Sequence, residues 1–521
     1  MKSSDDLFRL VKSLTSAEKG YFKKYTAKHV IGEKNDYIIL FTALDKMDEW
    51  DEDVLKRRLS KSGFLHRISA VKNYLNKLLL ESLRAFYSES TTERELLEML
   101  ADISFLWRRS LRSQAKKLII RAKTLAYQYE EWELALKILN WQFVTIEAGA
   151  LTAPARQRLQ EITKEKLKIL KYISITEQYR DLNDAISILN SREGMSGGEP
   201  TDELTKILAH PLLQSEETAL TYNAKLSFYN ILVIAENMHG NDITVALKYA
   251  RRRYQIMQER PDLIVEKPMV YIRGVQLFVQ RCILAGLFDE AERTLSAFEQ
   301  MILKLDNKLY EAARIEAFVM KTTMEVFYFL NSGKLDEGVQ RIAVWHKGII
   351  RYRKQIGLQL YRPICFNICV ILVFACKWEE ALVWLNRSIE EQPDIRRDIV
   401  SAAKLLALVI HYELGNSSLL EYTVRSTYRY LAKRERLGKP EQIVLRFLKK
   451  VSDVISRREL TVHFIQLHKQ LQGANASNDT TILDLFDFSL WLESKITGKP
   501  LTELFLAKVA TESEPHHNFH S

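Results

Sequence analysis

Three thiols lie close together in the chain, at Cys365, Cys369 and Cys376. Spacings of four and then seven residues bring side chains to one face of a helix, and sulfurs on one face are the starting material of a soft metal site. A blander reading competes. When the segment is aligned with similar ones elsewhere in the chain, Cys365 and Cys369 take inward positions of a helix, where small packing residues belong, and Cys282 does the same in its own segment. A buried cysteine behaves as a small hydrophobe, so packing is the expected role of the cysteines and no metal is expected. The histidines add little. His463 and His468 are five apart, a poor match to one helix face, and His516, His517 and His520 stand at the end of the chain. Thr497-Gly498-Lys499-Pro500 lacks the earlier glycine and the hydroxyl after lysine that a phosphate loop needs. No nucleophile elbow of the Gly-x-Ser-x-Gly kind is read in the chain. No catalytic residue and no cofactor is therefore expected, and the protein reads as a non-enzyme.

Binding chemistry is better represented. Leu106 to Lys123 carries Arg108, Arg109, Arg112, Lys116, Lys117 and Arg121. Arg425 to Lys439 carries Arg429, Lys433, Arg434 and Arg436 with Tyr428 and Tyr430. The third basic stretch, Arg341 to Arg362, interleaves its charges with aromatic rings. Trp345, Lys347, Arg351, Tyr352, Arg353, Lys354, Tyr361 and Arg362 are the expected partner-contacting residues, because Arg and large aromatics dominate binding hot spots. The competing reading is a solvated helix face, the commonest fate of a charge run on a helix. An acidic protein or peptide is the expected partner.

These stretches need elements to hold them. Gly286-Leu287-Phe288-Asp289-Glu290-Ala291, Gly333-Lys334-Leu335-Asp336-Glu337-Gly338 and Cys376-Lys377-Trp378-Glu379-Glu380-Ala381 share one pattern. Each reads as the end of one helix, a tight turn and the start of a second, with the acidic pair in the first turn where the helix dipole favours it. Ala246, Ala291, Gly338 and Ala381 occupy one role, a small side chain where two helices cross closely. They recur roughly every 45 residues, against 34 for the tetratricopeptide repeat and about 40–47 for HEAT-type units. The turn fits the tetratricopeptide form better. The expected fold is all-α, a tetratricopeptide-like α-solenoid of antiparallel helical hairpins with helical caps at both ends. Residues 1–88 form the N-terminal cap, 92–190 a first hairpin array, 201–470 the main array and 482–510 the C-terminal capping helices. The stretch 191–200, with three glycines and a proline, is the clearest break. The last residues, from 511, are expected to be disordered.

Composition agrees with long helices: 10 Pro and 18 Gly in 521 residues lie below average usages of about 5% and 7%. No segment has the ~18 consecutive apolar residues of a membrane span and the first residues lack a signal-peptide pattern, so a cytoplasmic protein is expected. The net charge of +10, diluted over the chain, does not by itself indicate nucleic acid. Thr15-Ser16-Ala17-Glu18 reads as a capping box. Beyond it, the basic run from Lys56 to Arg84 admits a second reading, a helix-turn-helix-like module on a DNA-binding regulator whose repeats act as a sensor. The last helix of that region keeps Val71, Leu75, Leu78 and Leu79 as a broad apolar face, the pattern a solenoid cap needs.

The segments Lys12 to Lys23 and Val71 to Arg84, together with Phe486-Asp487-Phe488-Ser489-Leu490-Trp491-Leu492-Glu493-Ser494-Lys495-Ile496, resemble the opening and the end of an uncharacterised family of bacterial tetratricopeptide-like helical-repeat proteins. The resemblance implies a helical-repeat fold over most of the chain and implies no activity.

Overall fold

The structure is a computed structural model, and it describes residues 5–28, 36–60, 62–86, 91–147, 152–193, 201–239, 243–305, 308–389, 395–433, 442–447, 457–474 and 486–513. Among the described residues all regular structure is helical and no strand occurs. The chain divides into two compact units, 1–171 and 172–521. The expected break at 194–200, the basic residues 434–439 and the tail from 514 lie outside the described residues.

Unit 1 holds α1 (Asp6–Ser13), α2 (Ser16–Lys28), α3 (Asp36–Asp45), α4 (Glu52–Arg58), α5 (Ile68–Phe86), α6 (Thr92–Arg108), α7 (Arg112–Gln128) and α8 (Trp132–Glu147). The boundary between the units falls inside α9 (Ala153–Glu193). The capping box forms: Thr15 N–H donates to the Glu18 carboxylate and Glu18 N–H to Thr15 Oγ1. The apolar face of α5 faces inward, with Val71, Leu75, Leu78 and Leu79 buried beside Val11, Phe22, Leu40, Phe41 and Leu55. Each such side chain taken from water contributes about 1.5–3 kcal/mol, so this cluster holds the first five helices together.

Unit 2 continues with α10 (Asp202–Leu208), α11 (Tyr222–His239), α12 (Ile243–Gln258), α13 (Pro261–Glu266), α14 (Pro268–Leu284), α15 (Phe288–Leu305), α16 (Glu311–Ser332), α17 (Leu335–Tyr352), α18 (Leu358–Phe374), α19 (Trp378–Ile389), α20 (Arg397–Glu413), α21 (Ser417–Ala432), α22 (442–447), α23 (Arg457–Ala474), α24 (Phe488–Thr497) and α25 (Leu501–Ser513). Neighbours in sequence pack on each other: α11 on α12, α14 on α15, α16 on α17, α18 on α19, α20 on α21. Alternate helices also touch, α14 with α16, α16 with α18, α18 with α20. The small side chains expected at the close crossings are buried: Ala246, Ala291, Gly338 and Ala381. A Cβ on Gly338 would stand 3.1 Å from that of Phe329, so the crossing has no room to spare.

One turn geometry recurs in both units. Ser110, Glu130, Gly286, Cys376 and Gly415 all have positive φ, and the residue after each donates its N–H five residues back, as Leu287 does to the Cys282 carbonyl and Lys377 to the Leu372 carbonyl, each at 2.8 Å. This is the left-handed helix stop that satisfies the last free carbonyls. It corrects the expectation for Cys376. Cys282, Cys365 and Cys369 are buried as expected, but Cys376 is exposed, because a left-handed residue at a helix end sits outside the packed face.

The last helices close over the turn ends of the pairs. Trp491 is fully buried, and its Nε1 donates to Glu413 Oε1 at 2.6 Å. Lys495 reaches Glu413 Oε2 at 2.7 Å, and Thr502 Oγ1 donates to the Phe374 carbonyl at 2.5 Å. Phe505 stacks on Phe374 at 4.1 Å. No described helix is long and apolar enough to cross a membrane.

Candidate functional site

The eight residues expected to contact a partner separate into two groups. Trp345, Tyr361 and Arg362 are buried, which corrects their assignment to a contact surface. Trp345 donates Nε1 to Glu325 Oε2 at 2.7 Å. Arg362, fully buried in α18, donates Nη1 to the Ile395 carbonyl. Burial pushes the Tyr361 phenol up to about 12, and the Arg353 guanidinium lies over its ring at 4.0 Å. Tyr352 is half-buried against Phe318 and takes Arg351 over its ring. Lys347, Arg351 and Lys354 are exposed. The physical cause is the helix period: the aromatic residues and Arg362 fall on the apolar stripe of their helices, and the remaining cations fall off it.

Charge near this stretch is also neutralised internally. A cavity of ≈470 Å3 between α15, α16 and α17 is lined by Glu292, Glu299, Lys321, Glu325, Glu337 and Arg341 among others. Glu325 accepts from Arg341 at 3.0 Å as well as from Trp345, and Lys321 lies between Glu299 and Glu325. Glu292 accepts from Tyr328 at 2.7 Å and from Lys334 at 3.3 Å; the Tyr328 hydrogen bond, with help from Lys334, holds the Glu292 carboxyl below its ordinary range.

A second cavity, ≈460 Å3, has a different character. It lies in unit 2 between the 176–183 segment of α9, α11, α12 and the start of α14. Its cations are Arg180, Arg253, Lys267 and Arg273, and no carboxylate lines it. Asn183, Asn223 and Asn230 add carboxamides, and Leu226, Met269 and Val270 an apolar part. On the rim Arg180 pairs with Glu177 at 2.8 Å and Arg273 approaches Glu316 at 3.9 Å, with the arginine side chains still about two-thirds exposed. Asn230 Nδ2 donates to Asn183 Oδ1 at 2.7 Å and orients both carboxamides.

Arg253 is the unusual member. Only 8% of it is exposed. Nε donates to the Leu226 carbonyl at 3.2 Å, while Nη1 is buried without a hydrogen-bond partner. Burial pulls its pKa down to about 10, so the group stays charged at neutral pH. Room for it comes from Gly274, where a Cβ would stand 2.5 Å from Nη1 and 2.3 Å from the Met257 methyl. A buried charge without a counter-ion costs several kcal/mol, and its persistence beside a cavity is an observation that sequence reasoning missed. The signal was present. Ala246, Ala250, Arg253 and Met257 follow spacings of four, three and four, so Arg253 stands in the apolar stripe of α12, whereas Arg251 and Arg252 stand off it, paired with Glu290 and with Glu216 and Glu259.

The thiols hold no metal-like arrangement. Burial raises the Cys282 thiol to about 12 and raises Cys369 further, which keeps both protonated. Among the described residues no cluster of three His, Cys, Asp or Glu side chains could hold a metal ion. The reading of no Gly-x-Ser-x-Gly element needs correction, since Gly194-Met195-Ser196-Gly197-Gly198 has that spelling. It lies outside the described residues, and the described chain that precedes it is helix, whereas a nucleophile elbow turns from a strand into a helix. In unit 1 the basic run around α5 is partly engaged: Lys72 lies over Trp50 at 5.3 Å and Arg67 pairs with Asp36 at 2.6 Å.

Comparison of the chain with protein-family models, with curated proteins and with solved structures returned no match.

Proposed function

We propose that the protein is a tetratricopeptide-like α-solenoid that serves as a binding scaffold, holding an extended, acidic segment of a partner protein along the face made by alternate helices of unit 2. The observation that carries this reading is the packing of α14, α16, α18 and α20 on one another in succession while each also packs on the helix that follows it. Helix pairs stacked in that way present one continuous surface of first helices, the kind of surface on which repeat proteins bind extended ligands. The exposed cations Lys347, Arg351 and Lys354 then belong to the outer rim of this scaffold.

The test is cross-linking in the source cells, followed by purification of the tagged chain and mass spectrometry. Cross-links from an acidic segment of one partner to residues of unit 2 are the expected result. Duplex DNA bound tightly through α5, with no protein partner cross-linked, would overturn the reading in favour of a DNA-binding regulator.

A further inference from the structure

We infer that the cavity between α9, α11, α12 and α14 is a binding site for the carboxylates of an acidic peptide, with Arg253 at its base and Arg180 and Arg273 at its rim. It rests on the scaffold reading only for where the peptide comes from.

The electrostatic argument comes first. Four cations line the cavity and no carboxylate does. Elsewhere in unit 2 the corresponding cavity between α15, α16 and α17 balances its cations with glutamates at hydrogen-bonding distance. A concave site lined by one sign of charge concentrates ligands of the other sign. The Arg253 guanidinium has given only Nε to the protein, and Nη1 is left without an acceptor in a place that water does not reach. Unpaired buried donors carry the full cost of their desolvation, and an anion drawn into the cavity lowers that cost for the guanidinium as a whole.

The remaining lining separates a peptide from a bare anion. Asn183, Asn223 and Asn230 present carboxamides, which both donate and accept. A sulfate ion offers acceptors alone, and an inorganic phosphate ion adds few donors for the carboxamide oxygens to accept from. A peptide brings amide N–H groups, carbonyls and acidic side chains together. The volume, ≈460 Å3, lies in the range of sites for multi-group ligands, about 300–1,000 Å3, and Leu226 and Met269 supply the apolar contact that a peptide chain also needs. Specificity follows from the same chemistry: glutamate or aspartate carboxylates bring the negative charge that the guanidiniums of the cavity attract, and their amide counterparts bring none.

The experiment is fluorescence anisotropy with the full chain and a fluorescein-labelled octaglutamate, with octaglutamine as the neutral probe. The parent should bind octaglutamate and leave octaglutamine unbound. The double variant Arg180→Gln/Arg273→Gln, both positions exposed, should weaken octaglutamate by about tenfold or more, and the control pair Lys304→Gln/Lys499→Gln, exposed and away from the cavity, should change it less than about twofold. Arg253→Met should lose binding while melting within about 2 °C of the parent, since a merely structural arginine would lower the melting temperature instead. Equal losses in the rim pair and the control pair would mean attraction by net charge alone and overturn the site. Displacement of the peptide by low-millimolar inorganic phosphate would reassign the cavity to a small anion and overturn the peptide. A partner cross-linked to unit 2 in cells, with octaglutamate binding unaffected by the rim pair, would sink this site and leave the scaffold standing.

Discussion

Two groups of cations in unit 2 differ in what their charges face. Between Arg341 and Arg362 three cations have partners within the fold, Arg341 the Glu325 carboxylate, Arg353 the face of Tyr361 and Arg362 the Ile395 carbonyl, while Lys347, Arg351 and Lys354 are exposed. Between Thr176 and Arg273 four cations line one cavity that no carboxylate lines; a buried nitrogen without a hydrogen-bond partner occurs in both regions, Nη1 of Arg253 in the second and Nε of Arg362 in the first. Charge counted along a chain says how much is present; burial and pairing say how much is available to a partner.

The largest expected effect belongs to the first region. Trp345 is fully buried and hydrogen-bonded, so Trp345→Ala should destabilise unit 2 by about 3–5 kcal/mol, read as an early unfolding transition in denaturant. A variant that unfolds like the parent yet loses partner binding would break the comparison and return Trp345 to a contact role. Next comes the packing that both regions share. Ala291 is wholly buried at a helix crossing, and Ala291→Leu should cost about 1–3 kcal/mol by overpacking and raise protease cleavage around 278–300. The exposed control Lys304→Gln should stay within about 0.5 kcal/mol. Glu292, by contrast, is no neutral control, because it accepts from Tyr328 and Lys334.

A matched pair of glycines sharpens the contrast. A Cβ on Gly348 would fall 2.1 Å from the Phe318 ring, and one on Gly274 would fall on the ends of Met257 and Arg253. A ring locked against Tyr352 yields less readily than a methionine end, while alanine gains about 0.8–1.0 kcal/mol over glycine inside a helix. Gly348→Ala should therefore lose stability, about 1 kcal/mol net, with binding intact, and Gly274→Ala should keep its stability and weaken octaglutamate. The reverse pattern would show that Arg253 takes no part in binding.

Titration separates stability from binding. Burial lowers His346 and His411, with Arg387 adding to the effect at His346. A base whose folded pKa is depressed stabilises the fold above its unfolded pKa of about 6.5 and loses that contribution as pH falls through the folded value. The melting temperature should drop as pH is lowered below about 6.5, less steeply in His411→Asn, whereas octaglutamate affinity should stay flat from about pH 7.5 to 6, because no histidine lines the cavity. The smallest effect is reserved for Arg351→Gln/Lys354→Gln, within about 0.5 kcal/mol of the parent in stability.

Much of the helical framework was legible. The turn signature at Gly286 and Cys376, the small residues at 246, 291, 338 and 381, and the apolar face of α5 all found the roles their spacing implied. These features are local: they depend on the helix period and on backbone conformation within a few residues. The site was not legible from the density of Arg and Tyr, because a guanidinium that reaches solvent and one that reaches a carbonyl are spelled alike. Arg253 and Arg362 announce themselves only when read against the apolar stripe that each interrupts, Ala250 and Met257 around the first, Leu358 and Cys365 around the second. Cys376 misled for a related reason: its spacing from Cys369 suggests a common face, but the helix has already ended in a left-handed residue.

The last helices set the order of events when the chain folds. Most contacts in unit 2 join helices adjacent in sequence or next but one, the local kind that form quickly. The clasp made by Trp491, Lys495 and Thr502 joins residues 78, 82 and 128 positions apart, and such closures must wait until both surfaces exist. The helices from α11 to α21 should therefore assemble first and the terminal helices α24 and α25 dock afterwards. A Thr502→Val chain should refold at the parental rate and unfold faster, the kinetic mark of a contact made after the barrier.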